Sequence, residues 1–237
     1  MSWDFNMKNK YKNEIKIKGL IQSWICENNI FTAIHKKDYF DYKKNLQPNS
    51  YLDDLLNTAV NTAADLRYKY VALSTKFDVP NKTDTIENEI GRVVPISITK
   101  VSNKIIVESK FDLSDANTLF TSISAFSDKS HLTLTSASGL AVNDGCLINL
   151  PSGLKEERKI TAISGSNITL DRDLSENPST STSENFKQMI CRIHLIYGST
   201  STLSLNTGFG ASIASLKTTK RSTQSIYTRH EIEFLGS

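Results

Sequence analysis

A block of short strand-like stretches, residues 128–185, is the feature that most restricts the fold of this chain. It contains four such stretches, at residues 131–134, 146–150, 158–163 and 167–170. Ser-Gly-Leu, Asn-Asp-Gly, Pro-Ser-Gly and Ser-Gly-Ser sequences lie between them and are typical of tight turns. A low-complexity run with the composition of a linker ends the block. The pattern predicts a small β-barrel at residues 128–185, inserted into a larger β-domain.

The sequence on both sides of this block also predicts strands. Residues 68–74 predict one strand, and residues 94–111 predict a β-hairpin that turns at 101–104. Further strands are expected at residues 188–197, at 211–216 and at 226–234. The predicted fold class is therefore mainly β: an antiparallel β-sandwich made of residues 49–127 plus 186–237.

One helix is expected before the first of these strands, at about residues 51–66. Ser50 is a favourable capping residue, and Asp53 and Asp54 fall in the first turn, where negative charge stabilises a helix. The apolar residues recur with helical spacing; they are Leu52, Leu55, Leu56, Ala59, Val60 and Ala63. We expect this helix to pack on the sheet.

Residues 1–48 lack a clean periodicity and are polar, yet they contain several large rings. We interpret the segment as an extended N-terminal docking arm whose rings bind a neighbouring subunit, because interfaces favour aromatic side chains. An alternative that the sequence leaves open is that these rings pack on their own domain. The interface candidates are Trp3, Phe5, Tyr11, Trp24, Tyr39, Phe40 and Tyr42.

Charge and composition argue against several classes of function. The formal net charge is +3, and residues 1–50 hold nine lysines and five acidic residues, so the excess base is N-terminal. Such a segment is more often a solvated face or a docking arm than a nucleic-acid site. We expect neither a secretion signal nor a membrane span, because no long apolar run is present. Three widely spaced cysteines fit synthesis in a reducing cytoplasm.

The residues that could carry catalysis are scattered, so no catalytic or cofactor-binding residue is predicted. The four histidines, His35, His131, His194 and His230, form no recognised motif. Cys191 and His194 are three residues apart on one predicted strand, which places them on opposite faces.

Metal and phosphate sites are not predicted either. Carboxylates at Asp112, Asp115, Asp144, Asp171 and Asp173 suggest calcium, but the alternating Asp171-Arg172-Asp173 lacks the glycine and the further oxygen ligands of a calcium loop. Residues 208–210 are interpreted as a turn. Glu87, Glu89 and Arg92 are interpreted as loop charges that are solvated or pair across subunits.

The order of several motifs resembles a family of small bacteriophage structural proteins from tails, fibres and baseplates. The motifs are the helix YLDDLLNTAVNTAAD, the strand YVALST at 70–75, TDTIENEIGR at 83–92, the hairpin at 103–107, the segment 111–117 and the last strand, reached through 217–226. The block itself is similar to β-modules of phage and bacterial surface proteins, through SASGLAVNDG at 136–145 and TAISGSNITL at 161–170. Where the family tends to have Gly-Thr-Gly, this chain has Ser74-Thr75-Lys76, so that turn differs.

The resemblance implies a virion protein of the tail, collar or fibre-attachment region that is synthesised in the host cytoplasm. Its expected partners are other virion proteins, and a symmetric homo-oligomer is expected within the particle. An alternative is a host-surface or glycan-binding adhesin module, although residues 128–185 contain no Trp, Tyr or Phe for stacking on sugars. A depolymerase is a third possibility, and it needs a pair of carboxylates in a groove.

Overall fold

The described part of the chain is built from antiparallel β-strands. A computed structural model describes residues 16–34, 68–81, 84–197, 206 and 209–235. These residues contain fifteen strands and no helix. The mainly β, antiparallel class predicted from the sequence is confirmed, whereas the helix expected at residues 51–66 lies outside the described residues. No helix in the described ranges has the length and hydropathy needed to span a membrane.

Five strands form the first sheet, in the order β2-β1-β15-β6-β5. They are β1 (Lys16–Glu27), β2 (Ile30–Ala33), β5 (Ser97–Val101), β6 (Lys104–Phe111) and β15 (Ser225–Leu235). The β1–β2 turn holds Asn28 and Asn29 at φ values of 50° and 63°, a backbone geometry that asparagine tolerates in two-residue hairpins. The hairpin predicted around residues 101–104 is confirmed as β5–β6.

Strand β1 corrects the sequence interpretation of residues 16–34 as part of an extended arm. It pairs along its length with β15, from Lys16 opposite Leu235 to Cys26 opposite Ser225. These residues therefore belong to the sheet itself. The remaining residues of the predicted arm, 1–15 and 35–48, lie outside the described ranges.

Four strands pack beneath the first sheet, in the order β4-β3-β13-β14. They are β3 (Tyr68–Ser74), β4 (Glu89–Val93), β13 (Phe186–Tyr197) and β14 (Phe209–Thr218). One apolar core joins the two layers, with Ile21, Val107 and Ile226 from the first sheet and Leu73, Ile193 and Leu195 from the second. Burial of these side chains is the main force that holds the layers together. Phe209 and Gly210 belong to β14, so the turn predicted at residues 208–210 is wrong for those two.

The remaining strands form a ring of pairings around a second core. They are β7 (Phe120–Thr121), β8 (Ile123–Phe126), β9 (His131–Leu134), β10 (Gly145–Asn149), β11 (Lys155–Ser164) and β12 (Asn167–Leu170). Successive pairs run β13-β10-β11-β12-β9-β8, and β7, one residue before β8, pairs back with β13. The second core lies inside this ring and includes Ile123, Leu132, Ile148, Ile160 and Phe186. Ile123 and Phe186 lie just outside the predicted block, so its core extends beyond residues 128–185.

Strand β13 connects the two cores. Its first residues, Phe186 to Met189, pair with β10 of the ring, whereas Arg192 and later residues pair with β3. One continuous strand thus runs from one core into the other, and the ring is anchored to the double layer by main-chain hydrogen bonds.

Candidate interaction surface

The outer face of the five-stranded sheet carries a cluster of aromatic side chains. On β15, Ile226, Thr228, His230 and Ile232 are buried, so the alternating residues Tyr227 and Arg229 point outwards. Trp24 of β1 lies opposite Tyr227, and Lys110 of β6 lies on its other side. The ring of Phe31 meets the ring of Tyr227 with centroids 5.2 Å apart and a tilt of 57°.

These rings border a groove of about 390 Å³ on the sheet surface. Its walls include Trp24, Phe31, Tyr227 and Ile96, together with the charged residues Glu108 and Arg229. Phe31 is 58% exposed and Ile96 is 64% exposed. We call these six residues the aromatic groove. Exposed apolar side chains grouped in this way on a protein surface often mark a binding surface.

Charged side chains surround the groove and bond one another. Arg229 contacts Glu108 through Nη1 at 3.0 Å and Glu231 through Nε at 3.0 Å. Lys110 lies 5.5 Å from the centroid of the Tyr227 ring, and its hydrogen bonds with Asp112 and then Tyr227 raise its pKa. Surface pairs of this kind contribute little to stability, but they fix the orientation of the arginine beside the rings.

Both edges of the first sheet also expose apolar side chains. Ile30 on β2 is 69% exposed and Ile98 on β5 is 50% exposed. Ile98 lies opposite the buried Val107, so it is on the inward side of the sheet. The five-stranded sheet is therefore wider than the layer beneath it. Exposed strand edges are sites where another chain can add by backbone hydrogen bonding.

Of the seven predicted interface residues, Trp24 is the one that the described ranges contain, and it lies in the groove. Trp3, Phe5, Tyr11, Tyr39, Phe40 and Tyr42 lie outside the described residues. Sequence reasoning missed Phe31, Tyr227 and Ile96 as members of this surface. The alternation of β15 places Tyr227 outwards and so could have indicated it, but Phe31 lies in a segment without a recognisable period.

The histidines and cysteines in the cores are held in their neutral forms. Burial, and then the charge of Arg192, lower the pKa of His194 to about 3. Burial alone lowers the pKa of His230 to about 3. Burial also raises the pKa of Cys191 to about 12, which disfavours the nucleophilic thiolate. His131 is on the surface with Nδ1 2.9 Å from the Asp128 carboxylate, and His35 lies outside the described residues.

Asp144, one of the aspartates considered as calcium ligands, is held by protein donors. Asp144 is fully buried and accepts hydrogen bonds from Thr75 Oγ1, Asn88 Nδ2 at 2.9 Å, Gln188 Nε2 at 2.7 Å and the Ala141 amide at 2.8 Å. Burial raises its pKa, and the four donors act in the opposite direction. Within the described ranges, no three acidic, histidine or cysteine side chains are grouped closely enough to hold a metal ion.

Two further ion pairs on the second layer are buried rather than solvated. Arg92 bonds both carboxylate oxygens of Glu89 at 2.6 Å, so the prediction that these charges are solvated or pair across subunits is wrong for this pair. Glu87 follows the expectation more closely, because it pairs with Lys76 at 2.8 Å near the surface.

Buried Arg192 contacts Asp84 at 2.7 Å and the carbonyl oxygen of Asp78 at 2.6 Å and 3.1 Å. These contacts fix the loop after β3 to β13.

Comparison with known proteins finds no matching family model, no matching curated protein and no matching solved structure.

Proposed function

We propose that this protein is a structural component of a bacteriophage virion, in the tail, collar or fibre-attachment region, and that it acts by protein–protein assembly. The observation that carries the proposal is the aromatic groove on the outer face of the five-stranded sheet. The ordered sequence motifs that resemble phage structural proteins support the choice of a virion as the setting.

The composition of the groove favours a protein partner. Trp, Tyr and Arg are the residues most enriched among those that dominate binding energy at protein interfaces, and Trp24, Tyr227 and Arg229 occur together here. The rings supply a large apolar area with few rotatable bonds, so little conformational entropy is lost when a partner covers them. The pairing of Arg229 with Glu108 adds a polar border, as interfaces commonly have.

In this proposal the two layers form a β-sandwich, and the ring of strands closes into a small β-barrel. The pairing of β7 with β13 supports closure, because β7 lies one residue before β8, the last strand of the series that begins at β13. A closed ring leaves no exposed strand edge. The sandwich would then carry the aromatic groove, while the barrel is presented to one side through β13.

The proposal retains the N-terminal docking arm in a narrower form. Residues 16–34 are part of the sheet, so docking is assigned to residues 1–15 and 35–48, with Trp3, Phe5, Tyr11, Tyr39, Phe40 and Tyr42 as its rings. A symmetric homo-oligomer within the particle would bring these segments close to neighbouring copies.

The experiment that tests the proposal compares two serine variants in particle assembly. Phe31 in the groove and Leu154 on the ring are both 58% exposed, so Leu154→Ser is a matched control for Phe31→Ser. A phage with a nonsense mutation in this gene would be complemented with each variant, and mass spectrometry of the purified particles would measure incorporation.

We expect the wild type and Leu154→Ser to be incorporated equally and Phe31→Ser to be reduced at least tenfold. Failure to detect the wild-type protein in particles would contradict the virion assignment. Equal incorporation of all three would leave the protein in the virion but would exclude the aromatic groove as its assembly surface.

A second candidate function is binding of a host-surface glycan by the ring. A cleft of about 450 Å³ there is lined by hydroxyl side chains that could bond a sugar, namely Ser122, Ser124, Thr135, Thr180, Ser181 and Thr182. No aromatic ring lines this cleft, so the observation is weaker than the groove. The test is binding of the full chain to host cells. Loss of this binding in the Ser124→Val variant, together with unchanged binding in the Phe31→Ser variant, would favour this candidate.

A further inference from the structure

Four polar side chains lie together in the core between the two layers, on adjacent strands of the first sheet. Ser23 of β1 lies opposite Thr228 of β15, and Thr228 lies opposite Ser109 of β6. His230 is the next inward residue of β15 and lies opposite Ile21 and Val107. We call Ser23, Ser109, Thr228 and His230 the polar row. Their exposed fractions are 3%, 1%, 2% and 0%.

The polar atoms of the row have no hydrogen-bond partner in the described part of the protein. They are Ser23 Oγ, Ser109 Oγ, Thr228 Oγ1 and both ring nitrogens of His230. Buried polar atoms in folded proteins are nearly always bonded, to protein or to ordered water. Five such atoms at one place therefore need a common explanation.

The spacing of the row fits bridging by a small polar molecule. Residues directly opposite in an antiparallel sheet have Cβ atoms about 4.5–5.5 Å apart. Hydroxyl groups at that separation that do not bond directly can both reach one water, with about 2.8 Å for each bond. Apolar residues adjoin the row, with Ile226 and Phe111 at one end and Ile21 and Val107 on either side of His230. Bulk solvent does not reach the row, because its side chains are at most 3% exposed.

We infer that the polar row is an internal hydration site that holds about two ordered water molecules, since a buried water makes about three hydrogen bonds and five atoms need partners. The hydroxyls can donate or accept, and a neutral imidazole offers one donor and one acceptor. The lowered pKa of His230 agrees with that neutral form. The site goes beyond the proposed assembly function and does not depend on it.

Crystallography and solution NMR on the full chain test the inference directly. A crystal structure at about 1.5 Å or better should show water density within hydrogen-bonding distance of at least two atoms of the row. Water-to-amide cross-peaks for Thr228 and His230 should show residence longer than nanoseconds. Density that shows the hydroxyls bonded to one another or to backbone carbonyls, with no solvent between them, would overturn the inference.

A stability measurement gives a second, independent test. Thr228→Val replaces the hydroxyl by a methyl group of the same shape, and Thr99→Val makes the same change on the exposed face of β5. If water satisfies the hydroxyl, Thr228→Val should lower the folding equilibrium constant about fivefold, whereas Thr99→Val should change it by no more than about twofold.

A Thr228→Val protein as stable as the wild type, or more stable, would contradict the inference, because an unsatisfied hydroxyl is favourable to remove. Should Thr228→Val fail to fold, Ser109→Ala provides the same comparison with a smaller change.

Discussion

Gln188 of β13 donates a 2.7 Å hydrogen bond from Nε2 to Oδ2 of the buried Asp144, just before β10 of the ring. Asp144 also accepts bonds from Thr75, which follows β3, and from Asn88, which precedes β4. The carboxylate thus joins the ring to the second layer through side chains of both. The continuous strand β13 and this carboxylate together set how the two cores are connected.

Replacement of this carboxylate should destabilise the fold strongly. In Asp144→Asn one acceptor oxygen becomes an amide group, so donors such as Gln188 Nε2 and the Ala141 amide lose their acceptor. We expect a loss of about 2–4 kcal/mol in the free energy of unfolding, measured by urea denaturation. Asp173→Asn, at an exposed position of the same ring, should change it by less than about 0.5 kcal/mol. A loss in Asp144→Asn as small as the one in Asp173→Asn would show that the buried hydrogen bonds of Asp144 do not stabilise the fold.

The strands that the sequence identified include the almost fully buried apolar stretches of β3 and β13 and several strands that alternate between buried and exposed positions. Strands β9, β12 and β15 read this way, and turn residues bound the first two. Strand β1 was not predicted from the sequence, because Gly19 and Ser23 occupy inward positions while Trp24 points outwards. The alternation of apolar and polar residues expected of a strand is therefore broken. Ser23 and Trp24, which break the pattern of β1, belong to the polar row and to the aromatic groove, respectively.

The buried contacts were beyond sequence reasoning for a different reason. Glu89 and Arg92 stand three residues apart in a charged stretch that is typical of solvated loops. Their burial follows from the packing of β4 beside β3, a relation between distant segments that no local pattern encodes. The same holds for Arg192, whose partner Asp84 is 108 residues away.

Removal of the buried arginine should leave an uncompensated acid. Arg192→Met keeps most of the side-chain volume but deprives the Asp84 carboxylate and the Asp78 carbonyl of their donor. We expect a loss of about 3–5 kcal/mol in unfolding free energy. Arg172→Met is the control, because that side chain is 61% exposed and should change stability by about 0.5 kcal/mol at most. Thermal and urea unfolding of the two variants in parallel would decide, and a mild effect of Arg192→Met would contradict a structural role for the pair.

The two buried histidines should make the protein sensitive to acid. Their pKa values are lowered to about 3 in the folded state, against about 6.5 in an unfolded chain. Between these values the unfolded state binds more protons, so the free energy of unfolding falls as the pH decreases from 6.5 towards 3. His194→Asn should reduce the proton uptake on unfolding at pH 5 by about one. The surface variant His131→Asn should retain most of this proton uptake. Identical slopes of unfolding free energy against pH for the wild type and His194→Asn would contradict the burial of the His194 ring.

Lys220 should extend the same direction of pH dependence to alkaline pH. Lys220 is buried, and its ammonium group donates to Asn117 Oδ1 at 2.8 Å and to the Leu113 carbonyl oxygen at 3.3 Å. Burial lowers the pKa of Lys220 to about 8, although the negative charges of Asp115 and Asp112 act to raise it. An unfolded lysine titrates near 10.4, so between pH 8 and 10.4 the unfolded chain binds more protons and the free energy of unfolding should rise with pH. In Lys220→Met this rise should disappear, whereas Lys155→Met, at an exposed position, should keep it. Urea denaturation at pH 7.5, 8.5 and 9.5 measures the slope, and an unchanged slope in Lys220→Met would show that another group is responsible.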